Sequence, residues 1–505
     1  MRRLLLAAAA AVSFTAPAFA QDAPTQTLRI ALRQDPDLLD PTLARTYVGR
    51  IVFMGLCDKL FDINEKLEIL PQLAAGYEWT DSKTLVLKLR PNVQFQDGAP
   101  MDAAAVKYSL ERHLTMQGSS RRGEISAIEH VDVVDPTTVR VALKTPYSPL
   151  LAALTDRAGM IVSPKAAEAA GKDFALHPVC AGPFKFTERV AQDRIVLDRF
   201  PGYWNAGAIH FARVIYQPIV DSSVRLANLE AGSVDMVEYI LPTDANAVKS
   251  NPKLRLVLSN NLGYDSININ VGHGARATMP FGRDARVRKA FELSIDRTAL
   301  IQVLYNGLYE PTAQAVSQDS PFYAENVQPP ARDVAKAKAL LAEAGVKTPL
   351  AVTLIVENSP IAKQLGEVLQ SMSAEAGFDT KIQQMEFASS LDVAERGDFE
   401  AYNVGWSGRP DPDGNLWNFL HTGAPLNYPG YSNPDVDKWL DEARQVTDIG
   451  QRRDLYAKVA AQTETDLPIM YLDVPKNIVG MSAKVSGFVP VPDGMIRLTG
   501  LTMAP

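Results

Sequence analysis

The stretch NVQFQDGAPMDAAAVKYSLER, residues 92–112, places a tight turn at Asp97-Gly98 directly before a segment of helical periodicity. Asp-Gly suits such a turn because glycine reaches backbone angles closed to other residues. Asp102 stands where a side-chain oxygen can accept from the free N–H groups of a helix starting at Ala103. Val106, Ser109 and Leu110 recur at the spacing of one buried face. The stretch reads as strand end, turn and capped helix, so its role is structural.

Working outward, TLRIAL (27–32) opens as a strand and is followed by the Asp-Pro punctuation of DPDLLDPT. Helical spacing runs from Tyr47 to Leu60, and Leu85, Leu87 and Leu89 alternate within Trp79 to Arg90. VDVVDPTTVRVAL (131–143) reads as two strands around an Asp-Pro turn. From about Asp221 helices interleave with short strands. DSSVRLANLEAG (221–232), the long run from Arg283 to Gly307 with Val287, Ala290 and Phe291 on one face, and segments 331–346, 361–377, 433–444 and 452–465 all have helical patterns. Strands TPLAVTLIV (348–356) and FDTKIQQM (378–385) sit among them. This alternation predicts an α/β fold, with sheets covered by helices. No repeat and no Gly/Ser tether divides the chain, so any lobes must be joined by strands or short crossings.

The first residues, MRRLLLAAAAAVSFTAPAFAQD, order two arginines, an apolar run and Ala18-Phe19-Ala20, the pattern of a secretory signal peptide cleaved after Ala20. The run is shorter than the roughly 20 apolar residues that cross a bilayer. Gln21 is not a cysteine, so a lipid anchor at that point is excluded and a soluble, periplasmic protein is expected. The 505 residues are 46% hydrophobic, enough for several cored lobes. The net charge of −7 argues against nucleic acid or an anionic membrane as the main partner. Cys57 and Cys180 form either one disulfide or two buried thiols. The six histidines show no metal-binding spacing, so neither a metal site nor a cofactor is expected.

Several segments, in order, resemble the family 5 extracytoplasmic solute-binding proteins, whose members bind peptides, nickel complexes and opines. They are GLCDKLFDINEKLEILPQLAAGYEW (55–79), the stretch at 92–112, PVCAGPFKF (178–186), FPGYWN (200–205), RDARVRKAFELSIDRTAL (283–300), AKAKALLAEAG (335–345) and LPIMYL (467–472). The resemblance implies a two-lobed periplasmic binding protein fold (type II, cluster C) with an extra subdomain inserted in the first lobe. Residues 21–64, 180–267 and 479–505 would form lobe I, 65–179 the insertion and 268–478 lobe II. It further implies a monomeric receptor that closes on a small peptide-like solute, whether oligopeptide, dipeptide, glutathione or opine. The solute would pass to an inner-membrane ABC permease with its ATPase subunits. The opening stretch would lie in the insertion, away from the ligand cleft. Cys180 stands where the family usually carries glycine, and a bridge to Cys57 would lock the first lobe near its hinge.

A zwitterionic solute needs a carboxylate, a basic group and aromatic walls. GWSGRPDPDGNLWNF (405–419) is the richest such cluster. Trp406 and Trp417 are candidate walls, Arg409 a carboxylate partner, and Asp411, or else Asp413, an ammonium partner; the resemblance favours Asp411. Gly408, Pro410, Pro412 and Gly414 predict a shaped loop there. In ARTYVGR (44–50), Tyr47 is a candidate contact and Arg45 or Arg50 a charge partner. Dipeptide-binding members carry an arginine where this chain reads Val356-Glu357-Asn358-Ser359, which shifts the expectation from simple dipeptides toward longer peptides, glutathione or opine-like compounds. GWSGR lacks the final glycine of GxSxG, Pro252 interrupts SNPK (250–253), and no phosphate-binding loop occurs, so an enzyme is not expected. A nickel-chelate receptor and a non-transport sensor or interaction protein on the same fold are the alternatives.

Overall fold

In the computed structural model, which describes residues 25–504, strand Thr27–Leu32 runs parallel to Arg213–Pro218 on one side and to Met236–Val237 on the other. The expected signal peptide and its cleavage point lie outside the described residues. Antiparallel neighbours extend this sheet to seven strands, in the order Leu254–Asn260, Lys476–Ser482, Met236–Val237, Thr27–Leu32, Arg213–Pro218, Arg194–Arg199, Phe184–Val190. Leu28, Ile30 and Leu32 share a core with Val48, Ile51 and Val52 of helix Tyr47–Leu56. That helix stops four residues before the expected Leu60, because Cys57 turns to extended backbone.

A second, six-stranded sheet has the order Glu310–Pro311, Ile469–Val474, Tyr264–Ile269, Ala401–Trp406, Leu350–Glu357, Phe378–Met385. Phe291, Leu341, Leu365 and Leu369 pack helices Ala285–Ser294, Val334–Glu343 and Pro360–Ala376 into its core. The run 283–307 is broken into two helices. Ile295 is extended and Asp296 caps the second, Arg297–Tyr305, by accepting from the Ala299 N–H at 2.9 Å. Among the described residues the chain passes between these two sheets through residues 261–263 and through Pro475, two short crossings that leave little slack. The expected lobe II limits, 268 and 478, fall inside strands of the two sheets.

The stretch that opens the sequence analysis belongs to a smaller four-stranded antiparallel sheet, Ala74–Asp81, Thr84–Leu89, Thr138–Leu143 and Ile128–Asp135, covered by helix Ala103–Thr115. Asp102 accepts from the N–H groups of Ala104 and Ala105 at 3.0 and 3.1 Å. Gln96 ties this unit to the seven-stranded sheet. Its amide donates to the carbonyls of Leu56 and Phe184, both at 2.7 Å, and its Oε1 accepts from the Cys180 N–H at 2.8 Å. Beside it Cys57 and Cys180 are joined by a disulfide that closes a 123-residue span. On chain entropy alone such a cross-link stabilises by roughly 4 to 5 kcal/mol, and losses of about 2 to 5 kcal/mol are usual on removal. The double substitution Cys57→Ala/Cys180→Ala is therefore expected to lower the urea-unfolding free energy by about 2 to 5 kcal/mol; an unchanged midpoint would reject the bridge as a stabilising element.

Candidate functional site

Residues from both large sheets line a common cleft, and the carboxyl ends of several of their strands lie at it. Ligands of open α/β sheets bind at such ends. Arg33 and Gln34 follow strand Thr27–Leu32, and Tyr239 follows Met236–Val237. From the opposite side Glu357 ends Leu350–Glu357 and Trp406 ends Ala401–Trp406. Three adjoining cavities of about 800, 810 and 580 Å³ occupy this space, and Gly405 lines all of them.

Arg33 is fixed before any solute arrives. It donates to both oxygens of Glu238 at 3.0 and 3.1 Å, and its guanidinium lies 4.3 Å from the ring centre of Tyr239 and 5.0 Å from that of Tyr47. Burial opposes its charge, but the Glu238 carboxylate overrides that and raises its pKa. Tyr47 is itself held, donating to the Gly494 carbonyl at 2.9 Å. Gly494 has a φ of 71°, and a Cβ there would stand 2.2 Å from the Tyr47 hydroxyl, so only glycine admits this contact.

Asp265 has the opposite character. It lines two of the cavities, accepts no hydrogen bond from any described residue, and is raised to about 6 by burial, against the partial relief of Arg33. Behind it on the neighbouring strand is Asp473, completely buried, with neither carboxylate oxygen hydrogen-bonded; burial, and then the charge of Asp265, push Asp473 well above the usual carboxylate range. Its cross-strand partner on the other side is Gly405, where a Cβ would approach Oδ1 to 2.5 Å. The missing side chain keeps the carboxylate open to the cleft. Glu357, also raised by burial, accepts from Gln34 across the cleft at 2.8 Å.

The site brings together charged groups of both signs and aromatic walls, and among the described residues there is no cluster that could hold a metal ion. The family model for bacterial extracellular solute-binding proteins, family 5 (middle), matches residues 68–427. The chain belongs to that family. The glutathione-binding protein GsiB of Pectobacterium atrosepticum is 30% identical over 468 residues, 90% of each chain. Among solved structures, the periplasmic binding protein AgaA in complex with agropinic acid, from A. tumefaciens R10, superposes with a TM-score of 0.87 at 26% identity, covering 95% of this chain and 99% of that one. The murein tripeptide binding protein MppA of Escherichia coli gives 0.89 at 22% identity, over 95% and 99%. The α/β fold of this family 5 protein is thus that of the periplasmic binding proteins, and no helix among its described residues is long and apolar enough to cross a membrane.

Of the residues the sequence singled out, Tyr47, Arg45 and Trp406 line the cleft of this family 5 chain. Arg45 also reaches across it, to Asp392 at 2.7 Å and Glu395 at 3.2 Å. The others are engaged elsewhere. Asp411 receives both terminal nitrogens of Arg452 at 2.7 and 2.8 Å, so it is no free ammonium partner. Arg409 is buried against Asp156 at 2.7 Å and lines none of the three cavities. Trp417 donates to Asp441 at 2.9 Å and lies between His421 and Arg444, outside the cleft. Asp413 is taken by Arg444, and Arg50 by Asp156 and by Ser407. The expected loop is also shorter than its prolines and glycines suggested, because a helix starts at Asp413 and admits Gly414 in its first turn. Sequence reasoning missed Arg33 and Asp265. The available signal for Asp265 was a lone acid heading the uncharged run SININVG (266–272).

Two outcomes follow from this geometry. Because the folded pKa of Asp265 lies above its unfolded value, ionising it costs stability as pH rises through about 6. Asp265→Asn is expected to unfold at a higher temperature than the parent at pH 7.5, with the advantage shrinking toward pH 4.5; a constant difference would contradict this. Asp411→Ala, which strands a buried guanidinium, should cost about 3 to 5 kcal/mol of unfolding free energy in urea titrations while leaving solute affinity unchanged.

Proposed function

We propose that this family 5 protein is the periplasmic receptor of an ABC importer and takes up a peptide-like solute whose ammonium is bound by Asp265. The carrying observation is that carboxylate: half-buried in the cleft wall, unpartnered, and kept uncovered by Gly405. A carboxylate largely withdrawn from water is costly until a cation meets it. Arg33, already paired and stacked, offers a planar donor edge and aromatic neighbours for the solute backbone. The names of the relatives, glutathione-binding and murein tripeptide binding, fit the same chemistry.

Closure gives such a receptor its switch. Arg45 with Asp392 and Glu395, and Gln34 with Glu357, join the walls directly. Asp392 and Glu395 are more than half exposed, and pairs of that kind are worth about 0 to 1 kcal/mol. A solute touching both walls therefore adds the decisive free energy and shifts the population to the closed form, which the permease and its ATPase subunits would recognise. The receptor acts as a monomer, is exported by the leader at 1–20, and has no catalytic role.

The test is a thermal-shift panel on refolded, ligand-free protein: dipeptides, tripeptides, longer peptides, glutathione, opines and nickel with histidine. A cognate solute at 100 times its Kd adds roughly 2.7 kcal/mol of stability. Stabilisation by an amine-bearing peptide-like class is expected, with Asp265→Asn weakening its calorimetric affinity by about 2 to 5 kcal/mol. A response to nickel-histidine alone, or undiminished affinity in the variant, would overturn the assignment.

A further inference from the structure

The third cavity, of about 580 Å³, differs from the other two in its charge. Arg45, Arg121 and Arg157 line it, and no acidic residue does. Arg121 and Arg157 come from the expected insertion, 65–179, so that part of the chain reaches the cleft. Both guanidinium groups are almost completely buried, at 2% and 1% exposure.

Behind this lining the charges do not balance. Arg50, Arg121, Arg157 and Arg409, all nearly buried, share two carboxylates, Asp156 and Glu124. Asp156 is claimed by Arg409 at 2.7 Å and Arg50 at 3.1 Å, which leaves Arg157 no closer than 3.9 Å. The Arg157 guanidinium donates only to the Ala44 carbonyl, and the Nε atoms of Arg121 and Arg157 have no hydrogen-bond partner. Burial, and then the neighbouring charge of Arg121, drive the pKa of Arg157 well below the usual arginine range. Two buried positive charges in excess are expensive unless an anion joins them. Arg45 adds nothing to this excess, since Asp37, Asp392 and Glu395 surround it. Asn268 also borders the cavity, with its Oδ1 unpaired.

We infer that this cavity is an anion subsite in which Arg121 and Arg157 of the insertion bind a carboxylate of the solute remote from its ammonium. The inference rests on the receptor reading above and narrows it to solutes with an acidic far end. Apolar side chains, among them Phe387, Leu391 and Phe419, make up much of the remaining wall and limit the water around that carboxylate, where a charge-assisted pair is stronger. A bound anion would join the insertion to the second sheet through the solute itself, so the insertion takes part in closure.

The test uses glutarate, a dicarboxylate without an amine, titrated calorimetrically into ligand-free protein. Saturable binding is expected, and Arg157→Gln should weaken it about tenfold or more. Should Arg157→Gln fail to refold, Asn268→Asp is isosteric and sets a fixed negative charge in the lining; it is expected to reduce glutarate binding to a similar extent. No saturable binding to the parent protein, or equal binding by the folded variants, overturns the subsite. Inorganic phosphate binding more tightly than glutarate overturns the carboxylate assignment. Because glutarate has no ammonium, its binding stands apart from the peptide panel: glutarate bound with every amine-bearing solute rejected would remove the peptide reading and keep the anion subsite.

Discussion

A single carboxamide holds the architecture together where its parts meet. Gln96 uses its amide and its carbonyl at once, gripping the end of helix Tyr47–Leu56, the start of strand Phe184–Val190 and the backbone of Cys180. The Leu56 carbonyl also accepts from the Gly182 N–H at 3.0 Å, so the amide adds a second bond there and ties the helix end to the strand and to Cys180. The turn at Asp97-Gly98 presents Gln96 to them, and Asp97 accepts from the Ser163 hydroxyl at 2.8 Å to fix the turn from behind. The small sheet is thereby set rigidly on the large one, and its arginines 121 and 157 reach the cleft at a defined place.

The cleft itself divides its electrostatics between prepared and unprepared groups. Arg33 is neutralised by Glu238 and sandwiched between rings, so it orients without demanding a counter-charge. Asp265 and the Arg121–Arg157 pair are left unbalanced on different stretches of the same channel. Desolvated charges of this kind cost free energy in the empty protein, and a complementary partner recovers it. On the proposed reading affinity and selectivity come from the same source: a solute lacking one of the charges would leave its counterpart without a partner.

The sequence made the frame readable because its signals are local. Asp102, Asp221, Ser359 and Asn433 each cap the helix that periodicity predicts, and Gly377 ends one. Strands Thr27–Leu32, Leu350–Glu357 and Phe378–Met385 lie where their apolar runs place them. The strands that carry the site were harder to read. Tyr264–Ile269 is buried on both faces yet carries Asp265, Ser266 and Asn268, so it shows neither alternation nor an apolar run. The cluster at 405–419 misled for a related reason. Its Asp411, Arg409 and Trp417 have the right chemistry, but Arg452, Asp156 and Asp441 satisfy them from 24 to 253 positions away, and no local pattern reveals such partners. Tyr47 and Trp406 were legible because each stands at the cleft-facing end of its element, whereas the charge imbalance around Arg121 and Arg157 exists only once four distant segments are folded together.

The bond between Cys57 and Cys180 has a consequence for when the molecule becomes itself. It closes beside Gln96, at the joint between the four-stranded and the seven-stranded sheet, and thiols pair durably in an oxidising compartment. A chain held under reducing conditions keeps every strand and helix signal but lacks the covalent stop at that joint. Oxidation adds that stop where the small sheet meets the large one, so the reduced and the oxidised chain differ in how firmly that joint is held.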